Sequence, residues 1–202
     1  MSPDSQTLDS PTAYQLKIIL ADSEPEIWRR VLVPFEMTLA QLHEVIQLAM
    51  GWENLHDYRF QLGLATEKID CAPQQNLADV LAPDAQQSLY YNYDAVSGWL
   101  HRIEVEALEV GILGKGDPAV DPVRSLSLPT CTGGEMACPP EGTGGVWGYD
   151  DFLDRLEDAN DPDYLTLIAK YGAFDPDAFD VEAAANRLKA STLTITTAFP
   201  SS

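Results

Sequence analysis

The sequence is short of positive charge. Twelve lysines and arginines stand against 32 aspartates and glutamates over 202 residues, a formal net charge of -20. Such a surface repels phosphate backbones and anionic lipid, so neither direct nucleic-acid binding nor membrane association is expected. Cysteine is scarce as well. Three residues leave one over from any pairing and are too few for a disulfide scaffold. No apolar run approaches the length of a transmembrane helix. Residues Met1 to Pro11 have neither a basic start nor an apolar stretch, so no signal peptide is expected. Together these absences lead to the expectation of a cytoplasmic protein whose acidity keeps it soluble. That acidity would attract cations and basic partners.

What is present is enough for a folded core. The hydrophobic fraction of 45% is ordinary for a globular chain, and the length suits one domain. Residues 1–12 are rich in Ser, Asp and Pro and read as a disordered leader. Tyr14, Leu16, Ile18 and Leu20 then alternate with polar residues, the period of a half-buried strand. Asp22-Ser23-Glu24-Pro25 reads as a turn, and Ile27 to Val33 as the returning strand. Thr38, with Gln41 three residues on, spells a capping box. Leu39, Leu42, Ile46 and Ala49 follow at helical spacing, and Gly51 ends the helix. The opening is therefore strand, strand, helix.

Further strands are expected at Tyr58 to Leu64, Leu89 to Tyr93 and Trp99 to Leu108, with a turn at Ser97-Gly98. Trp99, His101, Ile103 and Val105 share the face expected to be buried. Leu77 to Leu81 suits a single helical turn. Residues 110–148 carry many glycines and prolines and no periodicity, and read as one long loop. Cys131, Cys138, Trp147 and Tyr149 argue that this loop is ordered. Residues 149–189 read as helical, with Asp150, Asp161 and Asp180 as N-caps. Residues 190–202 read as a flexible tail. Residues 13–189 thus form a single α+β domain: a mixed or antiparallel sheet, a ββα opening reminiscent of a β-grasp arrangement, and a helical C-terminal section.

Several stretches are specific enough to compare. Tyr14-Gln15-Leu16-Lys17, Ile27-Trp28-Arg29-Arg30-Val31 and Thr38-Leu39 through Leu42-His43 to Ala49-Met50-Gly51-Trp52 resemble the plasmid pRiA4b Orf3-like family. The likeness continues through His56 and Phe60, Tyr91-x-Tyr93-Asp94, Trp99-x-His101 and Ile103-x-Val105-Glu106. It includes Cys131-x-Gly133-Gly134-Glu135-x-Ala137-Cys138-Pro139-Pro140-Glu141, Gly144-Gly145, Gly148-Tyr149 and Phe174-Asp175-Pro176-x-Ala178-Phe179-Asp180. It spans Tyr14 to Leu188. The resemblance implies an α+β domain and an association with mobile elements. It implies no activity, because the family has no established one. The chain departs from the pattern at Ala95, Val96 and Ser97, at Tyr58 where a second histidine is usual, and at Gly142-Thr143. Each departure removes a polar or ligand-type residue.

The candidate sites are few. His56, His101, Cys131 and Cys138 are the residue types of a tetrahedral zinc site, although the six residues between the cysteines exceed a zinc hairpin's usual spacing. The alternative is that His101 is a core histidine bonded to backbone and the cysteines pack as small hydrophobes. Glu135, Glu141, Asp150 and Asp151 are carboxylates near glycines that could hold a divalent cation or serve as an acid/base cluster, in no calcium-loop spacing. Arg29, Arg30 and Arg59 could bind an anion, but Arg29 and Arg30 alternate to opposite faces of a strand, so one is expected to pair with the acidic surplus instead.

Three functions stay open. A non-enzymatic binding or adaptor protein would use a groove lined by Trp52, Trp99 and Trp147, with His56, His101, Glu135 and Glu141 beside it. Its partner would be a protein or a small ligand. A metal-assisted hydrolase would use the His/Cys or carboxylate cluster, with zinc or another divalent cation. A mobile-element accessory would reach nucleic acid only through a basic partner.

Overall fold

The computed structural model describes residues 11–64, 68–81, 88–110 and 127–191. Among the described residues there are seven strands: β1 Pro11–Leu20, β2 Trp28–Pro34, β3 Tyr58–Leu62, β4 Ile69–Cys71, β5 Leu89–Tyr93, β6 Trp99–Val110 and β7 Thr130–Glu135. Five helices accompany them: α1 Leu39–Met50, α2 Leu77–Val80, α3 Gly145–Glu157, α4 Tyr164–Tyr171 and α5 Val181–Ala190. The strands form one sheet in the order β4-β3-β5-β6-β1-β2-β7. Every pairing is antiparallel, which decides between the mixed and antiparallel alternatives. The fold is α+β, with the expected ββα opening.

Local chemistry accounts for that opening. Ser23 Oγ donates to the Leu20 carbonyl and accepts from Ile27 N–H, fixing the turn between β1 and β2. At α1 the Thr38 side chain accepts from Gln41 N–H while the Gln41 side chain accepts from Thr38 N–H. These two bonds satisfy donors that a helix start leaves open. Gly51 closes the helix at φ 92°, a left-handed conformation that costs glycine little. The apolar stripe of α1 joins the inner face of the sheet, where Leu16, Ile18, Val31, Ile46 and Trp99 are all buried. The outer face is polar. Arg30 binds Glu106 through two nitrogens at 2.5 and 2.8 Å, Gln15 bonds the same carboxylate, and Lys17 bonds Glu26.

Four expectations need correction. The stretch 110–148 is not one loop, since it contains β7 and the start of α3. β7 escapes sequence periodicity because backbone pairing to β2 builds it, and Cys131 is its one fully buried side chain. A Cβ at Gly134 would lie 2.6 Å from the Phe179 ring and 2.8 Å from the Trp28 carbonyl, so close approach requires glycine here. Asp150 is no N-cap, because α3 already begins at Gly145. Asp161 is not one either. α4 has Asp163 at its N-cap position, while Asp161 accepts from Asp163 N–H and pairs with Arg155. Val105 ends its row 42% exposed, as does Leu108 at 54%, so the inner face of β6 emerges from the core at that end. Asp180 does cap α5, accepting from Ala183 N–H. The leader falls outside the described residues up to residue 10, the loop does so at 111–126, and the tail does so from 192 onward.

Candidate functional site

The site begins where α1 ends. The chain leaving β7 crosses the C-terminal end of α1 as residues 136–141 and is pinned at each step. Ala137 N–H donates to the Pro176 carbonyl, and Trp52 Nε1 donates to the Pro139 carbonyl at 2.9 Å. Glu141 accepts from Glu53 N–H at 2.7 Å and from the Tyr93 hydroxyl. The Tyr93 oxygen also accepts from Leu55 and His56 N–H. Burial, foremost, and the Glu141 carboxylate hold the Tyr93 phenol protonated far above its ordinary pKa.

Two clefts open on either side of this crossing, and Met50 and Cys138 wall both. One, of about 330 Å³, lies among Trp52, Leu55, Pro140, Glu141 and Tyr171. The other, of about 620 Å³, lies among Arg29, Asp177, Phe179, Asp180 and Arg187. Burial pushes the Cys138 thiol up to about 12, so it is neutral at physiological pH.

Arg29 is the unusual member. It is 2% exposed, and its guanidinium carbon sits 4.1 Å from the centre of the Phe179 ring. Nε donates to the Ala49 carbonyl at 3.3 Å, and Nη1 donates to the carbonyls of Trp28 and Glu135 at 2.7 and 2.8 Å. Among the described residues, no hydrogen bond engages Nη2 and no carboxylate pairs with Arg29. Burial lowers its pKa below the ordinary guanidinium value. Arg187 reaches the same helix end from α5, where its Nε donates to the Leu48 carbonyl at 2.8 Å. Both arginines thus face the negative end of the α1 dipole, which has no basic residue of its own in the last turn.

The residues singled out by sequence are scattered. His56 lies in the loop before β3, 3.8 Å from Asp94. His101 is fully buried on β6, with Nδ1 3.1 Å from the Trp99 carbonyl and Nε2 without a hydrogen-bond partner among the described residues. Burial takes its pKa down to about 4. Cys131 bonds the Gly133 carbonyl. The quartet His56, His101, Cys131 and Cys138 is therefore not gathered. Among the described residues, no three His, Cys, Asp or Glu side chains lie close enough to hold a metal ion. The carboxylate set is dispersed too. Glu135 accepts from Trp28 Nε1, Glu141 pins the crossing, Asp150 lies by Pro176 and Leu153, and Asp151 faces Arg155. The tryptophan groove does not form. Trp52 and Trp99 pack 5.9 Å apart in the core, while Trp147 on α3 is 86% exposed. Arg30 is paired with Glu106, as strand alternation required, and this leaves Arg29 alone on the inner face.

Sequence reasoning passed over a buried polar network on α1. His43 Nδ1 meets the Tyr91 hydroxyl at 2.8 Å and Nε2 meets Asn54 Oδ1 at 2.9 Å. Gln47 donates to the same hydroxyl and accepts from Asn54 N–H. Tyr58, at the position of the missing histidine, stacks on His43 with centroids 3.6 Å apart. The spacing of His43 and Gln47, four apart beside the apolar stripe, was the available signal.

Fold and site together define an α+β protein with a seven-stranded antiparallel sheet and a cleft bordered by arginine at the end of its first helix. The family model described as "Plasmid pRiA4b ORF-3-like protein" matches residues 12–183, and the chain belongs to that family. It is 35% identical over 184 residues to the uncharacterized protein y4hQ of Sinorhizobium fredii, covering 87% of each chain. It also resembles the crystal structure of a protein of unknown function, MM3350, from Methanosarcina mazei Go1. That likeness has a TM-score of 0.71 and 28% identity, covering 85% of this chain and 97% of the other. Among the described residues, no helix is long and apolar enough to cross a membrane.

Proposed function

We propose that this is a non-enzymatic binding protein whose ligand seats in the clefts flanking Cys138. The observation that carries the reading is Arg29: a buried cation in a chain of net charge -20, bordering an open cleft with one guanidinium arm unused. Burying a charge without a counter-ion is costly, so a ligand that engages that arm gains from what the fold has already expended. The groups around the clefts suit holding rather than reacting. Glu141 and Tyr93 are both engaged in pinning the crossing, and Cys138 is held as a neutral thiol. The hydrolase alternative lacks a group of three metal ligands among the described residues.

The test is a two-dimensional amide spectrum of the full chain, titrated with a library of small carboxylates, phosphates, amines and sugars. Saturable shifts are expected at Met50 to Trp52, at Cys138 to Glu141 and at Arg187. Shifts confined to the exposed surface around Trp147, or turnover of a library member, would overturn the reading.

A further inference from the structure

We infer that the cleft at Arg29 takes a small zwitterion, a free amino acid or short peptide, with its carboxylate on Arg29 and Arg187 and its ammonium on Asp177. The inference rests on the binding reading above and names the ligand class.

Arg29 sets the carboxylate end. Its guanidinium is fixed in place by the carbonyls of Ala49, Trp28 and Glu135 and by the Phe179 ring, so Nη2 is presented without further ordering. The remaining arm, Nη2 with its N–H donors, can make a charge-assisted bond to a carboxylate oxygen. Arg187, exposed at the rim and steadied by the Leu48 carbonyl, supplies the second cation. The other end follows from the rest of the lining. Asp177 and Asp180 border the same cleft, both exposed. Asp180 gives one oxygen to the start of α5, whereas no hydrogen bond or ion pair among the described residues engages the Asp177 carboxylate.

Charge balance selects among anions. Two guanidiniums and two carboxylates around one cleft sum to zero, inside a chain of net charge -20. A phosphate dianion would meet both aspartates and the surrounding negative field. A simple carboxylate would satisfy the arginines and leave Asp177 unserved. A molecule bearing one charge of each sign satisfies both ends. The cleft volume of about 620 Å³ suits it, within the roughly 300–1,000 Å³ of small-molecule sites. Phe179 and Met50 supply apolar wall for a side chain.

The experiment is titration calorimetry on the full chain, paired with amide spectra. The probes are pooled L-amino acids, the dipeptide alanyl-alanine, sodium acetate and inorganic phosphate. At least one zwitterionic probe is expected to bind saturably, shift Arg187 and Met50, and bind more tightly than acetate or phosphate. Arg29→Lys, which keeps the charge and loses the Nη2 arm held by the anchored guanidinium, weakens that probe about tenfold. Arg187→Gln weakens it less. Asp177→Asn weakens the zwitterion but not acetate. Should Arg29→Lys fail to fold, the two exposed positions carry the test. Phosphate or acetate binding as tightly as every zwitterion would overturn the inference, and so would zwitterion affinity indifferent to Arg187→Gln and Asp177→Asn. If no zwitterion binds while a different library member shifts the cleft residues, this inference falls and the binding reading stands. If all binding maps elsewhere, both fall.

Discussion

Helix α1 has two contrasting environments. Along its side, where it faces β5, the polar groups of the helix are answered: His43, Gln47, Asn54 and the Tyr91 hydroxyl bond one another. At its C-terminal end Arg29 is equally buried, yet one arm is unused and a cleft stands beside it. The side is a finished interior in which polar groups serve one another. The end has the same burial and the same kinds of bonds, with donor capacity left over. That remainder separates a candidate binding site from a structural network, and burial alone would not have separated them.

The largest expected effect of a single substitution breaks the end. Arg29→Met leaves the carbonyls of Ala49, Trp28 and Glu135 without their buried donor, and should destabilise the fold by about 3 kcal/mol, read from the urea midpoint. Acid reaches a comparable effect about one pH unit below 6.5 and exceeds it further down. Burial lowers both His43 and His101 from the usual 6.5 to about 4. The unfolded chain therefore takes up protons that the folded one refuses. Stability is full above about pH 6.5 and falls toward pH 4, by about 1.4 kcal/mol per pH unit for each ring. Urea midpoints measured from pH 7 to pH 4.5 should show the fall, and His43→Gln should about halve its slope. A flat profile in the parent protein would mean that the interior is less closed than the bonds imply.

Next comes Tyr91→Phe on the side of α1. It strands His43 Nδ1 and the Gln47 amide, and should lower stability by about 2 kcal/mol while leaving ligand binding at the Arg29 cleft unchanged. If it also weakened binding, the two environments would be coupled and the contrast drawn too sharply. The smallest effect belongs to Trp147→Ala. That ring is 86% exposed, and its removal should shift the melting free energy by less than about 0.5 kcal/mol.

Much of the frame was legible in the chain. The hairpin, the capping box, the Gly51 stop, the β5–β6 turn and the Asp180 cap each rest on neighbours a few residues apart, and local chemistry writes itself into local sequence. β7 was not legible, because its partner lies about a hundred residues away and its face is mostly backbone. The metal quartet failed for a related reason. Residue type shows what could bind a metal, but only packing brings side chains from separate segments to one point.

The sequence by itself determined the class of fold, the acidic surface, and the fact that Arg29 and Arg30 must point to opposite sides of a strand, since alternation is a property of the extended chain. Which side was buried, and what met each arginine there, only the tertiary structure decided. Glu106 approaches Arg30 from a strand 76 residues further on, while Arg29 meets carbonyls at a helix end and the open cleft beside them. Strand geometry acts between neighbours, whereas the partner of a charge is set by which distant segments the fold brings beside it.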